Sequence, residues 1–173
     1  MKKRIVFFLS SFLLLGAVGC SDDSNDDSTI SVNFLIQDEN GSEKYLFNEG
    51  ENIIFRLDII NDGKDDVVLL SPVEILGNDI FHVYSSKGED LGRPYDILII
   101  PEIAHTFIPS QSRVSFRGAW VNDPESELTW TPNFLQYEID KLRPLPKGDY
   151  YSEFTIKLDN NRNVTCKKTF KIN

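Results

Sequence analysis

The residues best suited to catalysis or metal binding in this sequence form no recognisable constellation. There are two histidines, His82 and His105, and two cysteines, Cys20 and Cys166. No HExxH or CxxC zinc motif and no GxSxG nucleophile motif is present. The run Asp38-Glu39-Asn40-Gly41 has calcium-binding residue types, but its glycine comes fourth, whereas an EF-hand loop needs it sixth. We therefore expect no enzyme, no catalytic residue, no bound metal and no cofactor.

The beginning of the chain has the order of a bacterial secretory signal. Basic residues open it (Lys2, Lys3 and Arg4), residues 5–15 are apolar except for two serines, and small residues follow up to Cys20. The apolar stretch is too short to span a bilayer as a stable anchor. Residues 1–19 are therefore predicted to be a signal peptide.

Cys20 is the one residue here whose chemistry a motif predicts. Ala17-Val18-Gly19-Cys20 resembles the lipobox of bacterial lipoproteins, with alanine where leucine is commoner. The resemblance implies that Cys20 becomes the new N-terminus and carries diacylglycerol and palmitate. Several acyl chains anchor a protein stably, whereas one alone is marginal. A secreted protein without lipid is the alternative interpretation.

Residues 20–28 are predicted to be a lipidated, acidic and disordered tether, since they contain no core-forming side chain. The run Ser21-Asp22-Asp23-Ser24-Asn25-Asp26-Asp27-Ser28 resembles the surface-export signal of lipoproteins in one group of anaerobic Gram-negative bacteria. Ser21 in place of aspartate argues, by resemblance, against retention at the inner membrane. We expect an outer-membrane lipoprotein on the cell surface; a solvated spacer is the alternative.

Charge and cysteine content limit what residues 29–173 do. Removing residues 1–19 removes three basic residues and no acid, so the net charge changes from −9 to −12. Phosphate would be repelled, and we expect no nucleic-acid partner. If Cys20 is acylated, only Cys166 remains, and the sequence predicts a buried thiol and no disulfide.

Alternating apolar and polar residues dominate residues 29–173, as in Ile30, Val32, Phe34 and Ile36. Turn sequences recur at short spacing; in Asn61-Asp62-Gly63-Lys64 the glycine is expected to supply a positive φ. The length suits one domain. These features predict an all-β domain, an immunoglobulin-like antiparallel β-sandwich, with a closed barrel as the second choice.

One segment before the last two strands breaks this pattern. Residues 133–142 lie between two prolines and predict a short helix or an irregular insertion. Leu145-Pro146-Lys147-Gly148-Asp149-Tyr150 then resembles the tyrosine corner of immunoglobulin-like sandwiches. Tyr150 should be buried with its hydroxyl bonded to nearby backbone, and Gly148 should have unusual φ or no room for a Cβ.

Four aromatic residues near that segment are the candidate partner-binding residues: Trp120, Trp130, Phe134 and Tyr137. Exposed aromatic side chains there would stack on a sugar or anchor a protein partner. The alternative is that they close one end of the sandwich.

A wider pattern resembles a known family. Phe47-x-x-Gly50-Glu51 leads to Phe55-x-Leu57-x-Ile59-x-Asn61, Phe81-x-Val83 and Pro109-x-x-Ser112 follow, and Leu145-x-x-Gly148-x-Tyr150 closes the pattern. It is similar to the BsuPI-like intracellular proteinase inhibitor family, which implies an immunoglobulin-like sandwich.

The resemblance carries no inhibitory residue over, so two functions remain. One is a surface binding or accessory module for a glycan or a protein partner, which an aromatic platform would favour. The other is a proteinase inhibitor, which an exposed rigid loop within residues 85–112 would favour.

Overall fold

The computed structural model describes residues 19–22, 29–71, 74, 75, 77, 80–97, 105–122, 137–139, 144–158 and 162–173, with backbone alone for residues 21, 22, 95–97 and 137–139. Trp130, Phe134, most of the predicted signal peptide and most of the tether lie outside these residues. The strands of the described part are β1 (Cys20–Asp22), β2 (Ile30–Gln37), β3 (Leu46–Phe47), β4 (Ile53–Asn61), β5 (Val67–Leu69), β6 (Val83–Ser85), β7 (Asp90–Gly92), β8 (Tyr95–Ile97), β9 (Thr106–Ile108), β10 (Ser112–Trp120), β11 (Tyr137–Ile139), β12 (Gly148–Lys157) and β13 (Asn163–Ile172).

These strands form two main sheets. The larger has the order β1-β13-β12-β6-β7, with β3 pairing in parallel with β13. The smaller has the order β10-β4-β2, and all its pairs are antiparallel. Two ribbons, β5 with β9 and β8 with β11, lie outside these sheets. The all-β sandwich predicted from the alternating pattern is confirmed.

The strand order is that of an immunoglobulin-like domain. The smaller sheet corresponds to strands A, B and E of that fold, in the order β2, β4 and β10. The larger sheet corresponds to strands C, F and G, in the order β6, β12 and β13, and β7 extends it. The antiparallel register puts alternate residues of each strand on the core side. In β12, for example, Tyr150, Ser152, Phe154 and Ile156 are buried while the residues between them are not.

Phenylalanines from both sheets meet in the core. Phe34 of β2 packs edge-on against Phe154 of β12, with ring centroids 4.8 Å apart. Phe55 of β4 stacks on Phe81 at 5.8 Å, and all four side chains are at most 3% exposed. Phe81 has a φ of 59°, which bulky residues rarely adopt, and its burial among the other rings offsets that cost.

The tyrosine corner has the arrangement that its motif predicts. Tyr150 is 6% exposed, donates a hydrogen bond of 2.6 Å to the carbonyl of Pro146 and stacks on Phe170. Leu145 is buried, and its N–H donates to the side-chain oxygen of Asn122. A Cβ added at Gly148 would lie 3.2 Å from the Tyr150 hydroxyl. Gly148 therefore leaves room for the Tyr150 side chain, and its φ is not positive.

The turn after β4 differs from the prediction at Gly63, which does not have a positive φ. A Cβ there would lie 2.7 Å from Oγ1 of Thr29, so space again requires the glycine. The turn is held by Asn61, which is fully buried. Its amide nitrogen donates to the carbonyls of Asp65, Ile108 and Pro109, and its oxygen accepts from the Gly63 N–H.

The short helix predicted within residues 133–142 is not found where the structure describes this segment. Tyr137–Ile139 is strand β11, which pairs antiparallel with β8. The flanking prolines and the apolar spacing indicated a helix, but pairing with a distant strand overrides such a local preference. The rest of that segment lies outside the described residues.

The prediction of no disulfide is wrong for the chain in this structure. β1 lies antiparallel to β13 with Cys20 opposite Cys166, and their sulfurs are bonded. Cys166 is fully buried, as predicted, but it is not a free thiol. The prediction failed because it assumed that lipid already occupies the sulfur of Cys20.

Candidate binding surface

The structure separates the four aromatic residues predicted to bind a partner. The prediction that Trp120 lies on the surface is wrong, since its side chain is 5% exposed and faces the core at the end of β10. The alternative interpretation, that these residues close the sandwich, holds for Trp120. Tyr137 lies in β11, where only the backbone is described. Trp130 and Phe134 lie outside the described residues.

A different set of aromatic side chains shares the outer face of the larger sheet. β6 and β12 are paired so that Tyr84 lies opposite Tyr151. In each strand the neighbouring residue, Val83 or Tyr150, points into the core, so alternation turns Tyr84 and Tyr151 outward. His82, two residues before Tyr84, continues the row. We call His82, Tyr84 and Tyr151 the aromatic row.

The three rings of the aromatic row are in contact. Tyr84 and Tyr151 stack with centroids 5.1 Å apart and planes 18° apart. The His82 ring lies 5.2 Å from that of Tyr84, at 33°. Lys167, on β13, places its Nζ 4.2 Å from the centre of the Tyr151 ring. Since Tyr151 has Tyr84 on one side and a cation on another, its ring edge and hydroxyl remain to meet a ligand.

Charged groups flank the aromatic row. The Lys167 ammonium forms an ion pair of 2.6 Å with Glu153, its cross-strand neighbour on β12. At the other end, Nε2 of His82 lies 2.8 Å from the carboxylate of Asp90. About three-fifths of the Asp90 side chain and two-fifths of the Glu153 side chain are exposed. Both carboxylates therefore keep accessible oxygens that accept hydrogen bonds.

The residue types of the aromatic row are common where proteins bind their partners. Tyrosine presents a large apolar body and a polar hydroxyl at little entropic cost, which is why it is enriched where binding energy concentrates. Sugars carry both apolar C–H groups and hydroxyls, and a row of ring edges with carboxylates at its ends matches both. A protein partner would use the same rings as anchors.

A second feature, an open depression of about 340 Å³, lies at one end of the sandwich, lined by acidic and amide residues that include Asp38, Glu39 and Glu51. Lys44 lies within it and forms an ion pair of 2.6 Å with Glu51. The hydrogen bond from Lys44, and then that from the Asn48 N–H, lower the pKa of Glu51. The Glu51 charge is therefore paired within the protein. Asp38 and Gly41 close a turn, in which the Gly41 N–H donates a hydrogen bond of 3.0 Å to the Asp38 carbonyl.

The described part of the chain has no group of three or more His, Cys, Asp or Glu side chains arranged to hold a metal ion. It also contains no helix long and apolar enough to cross a membrane.

One feature of the sequence points to the aromatic row. Tyr150-Tyr151 is a tyrosine pair in a strand, so one member must face outward once the other is assigned to the core. Its neighbour Tyr84 is 67 positions away, and only the pairing of β6 with β12 brings the two together.

No protein-family model, curated protein or solved structure matches this chain. The resemblance to the BsuPI-like proteinase inhibitor family therefore stays a prediction.

Proposed function

We propose that this protein is a lipoprotein anchored in the outer membrane, exposed on the cell surface, that acts as a binding or accessory module for a glycan or protein partner. The observation that carries the proposal is the aromatic row of His82, Tyr84 and Tyr151. Stacked rings on an exposed sheet face, with Asp90 at one end and Glu153 at the other, supply both apolar contact and hydrogen bonding.

The lipid anchor and the disulfide compete for one atom. The sulfur of Cys20 forms either a thioether to diacylglycerol or the bond to Cys166, and not both. We propose that the lipidated form is the mature protein and that the disulfide belongs to the unlipidated chain. In the lipidated form β1 has no covalent link to β13, and Cys166 is a thiol enclosed by the core.

Proteinase inhibition remains an alternative, and no described feature favours it specifically. Within residues 85–112 the structure describes a hairpin of β6 and β7, whose turn is closed by hydrogen bonds from Gly88 to Ser85 and from Ser85 to Glu89. Residues 98–104 lie outside the described part. We prefer the binding module because the aromatic row is an observed surface, whereas the described part of residues 85–112 has no feature specific to an inhibitory loop.

The proposal is tested by removing two rings of the aromatic row. The mature protein and a Tyr84→Ala/Tyr151→Ala variant are compared on an array of soluble polysaccharides and, separately, by cross-linking to envelope proteins on intact cells. Each ring is partly exposed, so the variant should fold. Losing two anchors of this kind should weaken binding by about tenfold or more.

Phe107→Ala is the matched control, since Phe107 is 56% exposed and lies on β9, outside both main sheets. It should bind like the unmodified protein. Equal binding by all three proteins, or equal loss in both variants, would overturn the assignment of the aromatic row. Binding to a polysaccharide on the array would assign a glycan partner, and cross-linking to an envelope protein would assign a protein partner.

A further inference from the structure

The outer face of the smaller sheet has a composition unlike the rest of this acidic chain. Register pairs place residues of β2, β4 and β10 side by side in rows, and the two central rows hold Asn33, Asp58 and Ser115, then Leu35, Arg56 and Arg117. Arg113 lies in the next row, on the same face. This face holds three of the seven arginines in the chain, Arg56, Arg113 and Arg117, and we call it the arginine face.

A buried carboxylate organises the arginine face. Asp58 is 2% exposed and accepts hydrogen bonds from Nε of Arg56 at 2.8 Å and from the Ser115 hydroxyl at 2.6 Å. Arg113 lies further away, with 3.8 Å between its guanidinium and the second Asp58 oxygen. A buried ion is tolerated when it is paired and hydrogen-bonded, and this network satisfies Asp58 through Arg56 and Ser115. The network thereby fixes the Arg56 side chain.

Arg113 and Arg117 are the exposed arginines of this face, although Arg113 also forms a long ion pair of 3.8 Å with Asp58. The Arg113 side chain is 59% exposed, and Arg117 is exposed with no hydrogen bond or ion pair among the described residues. Arg117 lies directly opposite Arg56 across the strand pair. Like charges in that position repel each other, and an anion bridging the two guanidinium groups would reduce the repulsion.

The charge balance of the arginine face is opposite to that of the chain. Of the outward-facing positions of β2, β4 and β10, Asp58 is the one acid and the three arginines are the bases, which leaves two positive charges. The whole chain has a net charge of −9. A positive region on a negative protein attracts and orients an anionic partner while the remaining surface repels it.

We propose that the arginine face binds an acidic polysaccharide, through the carboxylate or sulfate groups along its chain. The planar guanidinium group donates two parallel hydrogen bonds to such groups, which a lysine ammonium cannot do. Arg113 and Arg117 are exposed at two positions along β10, which suits a chain with repeating charges. This site is on the opposite sheet from the aromatic row and goes beyond the proposed function.

A polysaccharide fits this surface better than an acidic protein. Protein interfaces concentrate their energy in exposed apolar and aromatic anchors at the centre of the contact. The two central rows of this face carry one apolar residue, the partly buried Leu35, among polar and charged ones. The exposed apolar pair Val68 and Phe107 instead lies on the β5–β9 ribbon. The hydroxyl and amide groups of this face can form hydrogen bonds with sugar hydroxyls, and the neighbouring guanidinium groups can pair with the anionic groups of a charged sugar chain.

The test is binding of the mature protein to polygalacturonate, which carries carboxylates, and to dextran sulfate, which carries sulfates. Neutral dextran and polyglutamate are compared in the same buffer at low salt. We expect binding to at least one acidic polysaccharide, weakened by added salt. Arg113→Gln/Arg117→Gln should weaken it by about tenfold or more, since each charge-assisted contact is stronger than a neutral one. Arg56 is left intact because Asp58 depends on it.

Lys87→Gln/Lys157→Gln is the control, because it removes the same charge from exposed positions on other elements. It should bind within about twofold of the unmodified protein. The Tyr84→Ala/Tyr151→Ala variant should also keep this binding, which separates the two proposals. Binding to neither acidic polysaccharide, equal loss in both charge variants, or equal or tighter binding to polyglutamate would overturn the inference.

Discussion

Gly148 and Tyr150 are predicted to be energetically coupled, because the closest atom to a Cβ at Gly148 is the hydroxyl oxygen of Tyr150. The contact would be 3.2 Å, with two further ring atoms at 3.4 Å. Gly148→Ala therefore pushes the hydroxyl by a few tenths of an ångström and disturbs its 2.6 Å hydrogen bond to Pro146. Overpacking of this kind costs on the order of 1–3 kcal/mol of unfolding free energy.

Tyr150→Phe removes that oxygen and keeps the ring stacked on Phe170. It should cost about 1 kcal/mol, the usual net value of one hydrogen bond, because Pro146 is exposed and water can bond its carbonyl. Tyr150→Ala also opens a cavity and should cost roughly 3–5 kcal/mol.

In the Tyr150→Phe background, Gly148→Ala should cost much less, since the contact at 3.2 Å is gone and 3.4 Å is ordinary packing. Alanine also lowers the entropy of the unfolded chain, a gain of about 0.4–1 kcal/mol. Denaturant melts of the two single variants and the double variant measure this coupling. Additivity within about 0.5 kcal/mol would refute this account of the corner.

Three further predictions concern single groups. Burial, and then the nearby Glu89 charge, raise the pKa of Tyr150 above its ordinary value of 10.0. The stability that the neutral phenol contributes is therefore full below pH 10.0 and is lost as the pH rises through the raised pKa. The difference in stability between the protein and Tyr150→Phe should therefore shrink in alkaline melts, and a constant difference would contradict this. Ser152→Ala should be neutral or stabilising by up to about 1 kcal/mol in a melt, because the buried Ser152 hydroxyl has no partner among the described residues; a clear loss would show a missed bond. Protein extracted from membranes should contain one thiol, at Cys166, after denaturation, whereas unlipidated chain oxidised in vitro should contain none; a thiol-free membrane form would contradict lipidation of Cys20.

The fold was predictable from sequence because both sheets bury one face, and burial of one face imposes a period of two. Val114 and Phe116 share the core side of β10, and Trp120 has the same parity. The alternation that predicted the strand thus already placed Trp120 inside. The corner was predictable for a similar reason, since Leu145, Gly148 and Tyr150 act over a few residues.

The surfaces were not predictable because they depend on pairing between distant strands. Tyr84 meets Tyr151, and Arg56 meets Arg117, only through the registers of β6 with β12 and β4 with β10. The bond from Cys20 to Cys166 likewise needs β1 to lie on β13. Local patterns report which face a residue occupies and not which residues become its neighbours.

The proposed binding role is tested most directly in living cells, by a photoreactive phenylalanine analogue placed at Tyr84, at Tyr151 or at Phe107. Exposure alone favours Phe107, which is 56% exposed, whereas both tyrosines are only partly exposed. If the aromatic row holds a partner, irradiation should give a cross-linked product of higher mass from positions 84 and 151 and none from position 107. No product from either tyrosine position, or equal products from all three, would contradict the account.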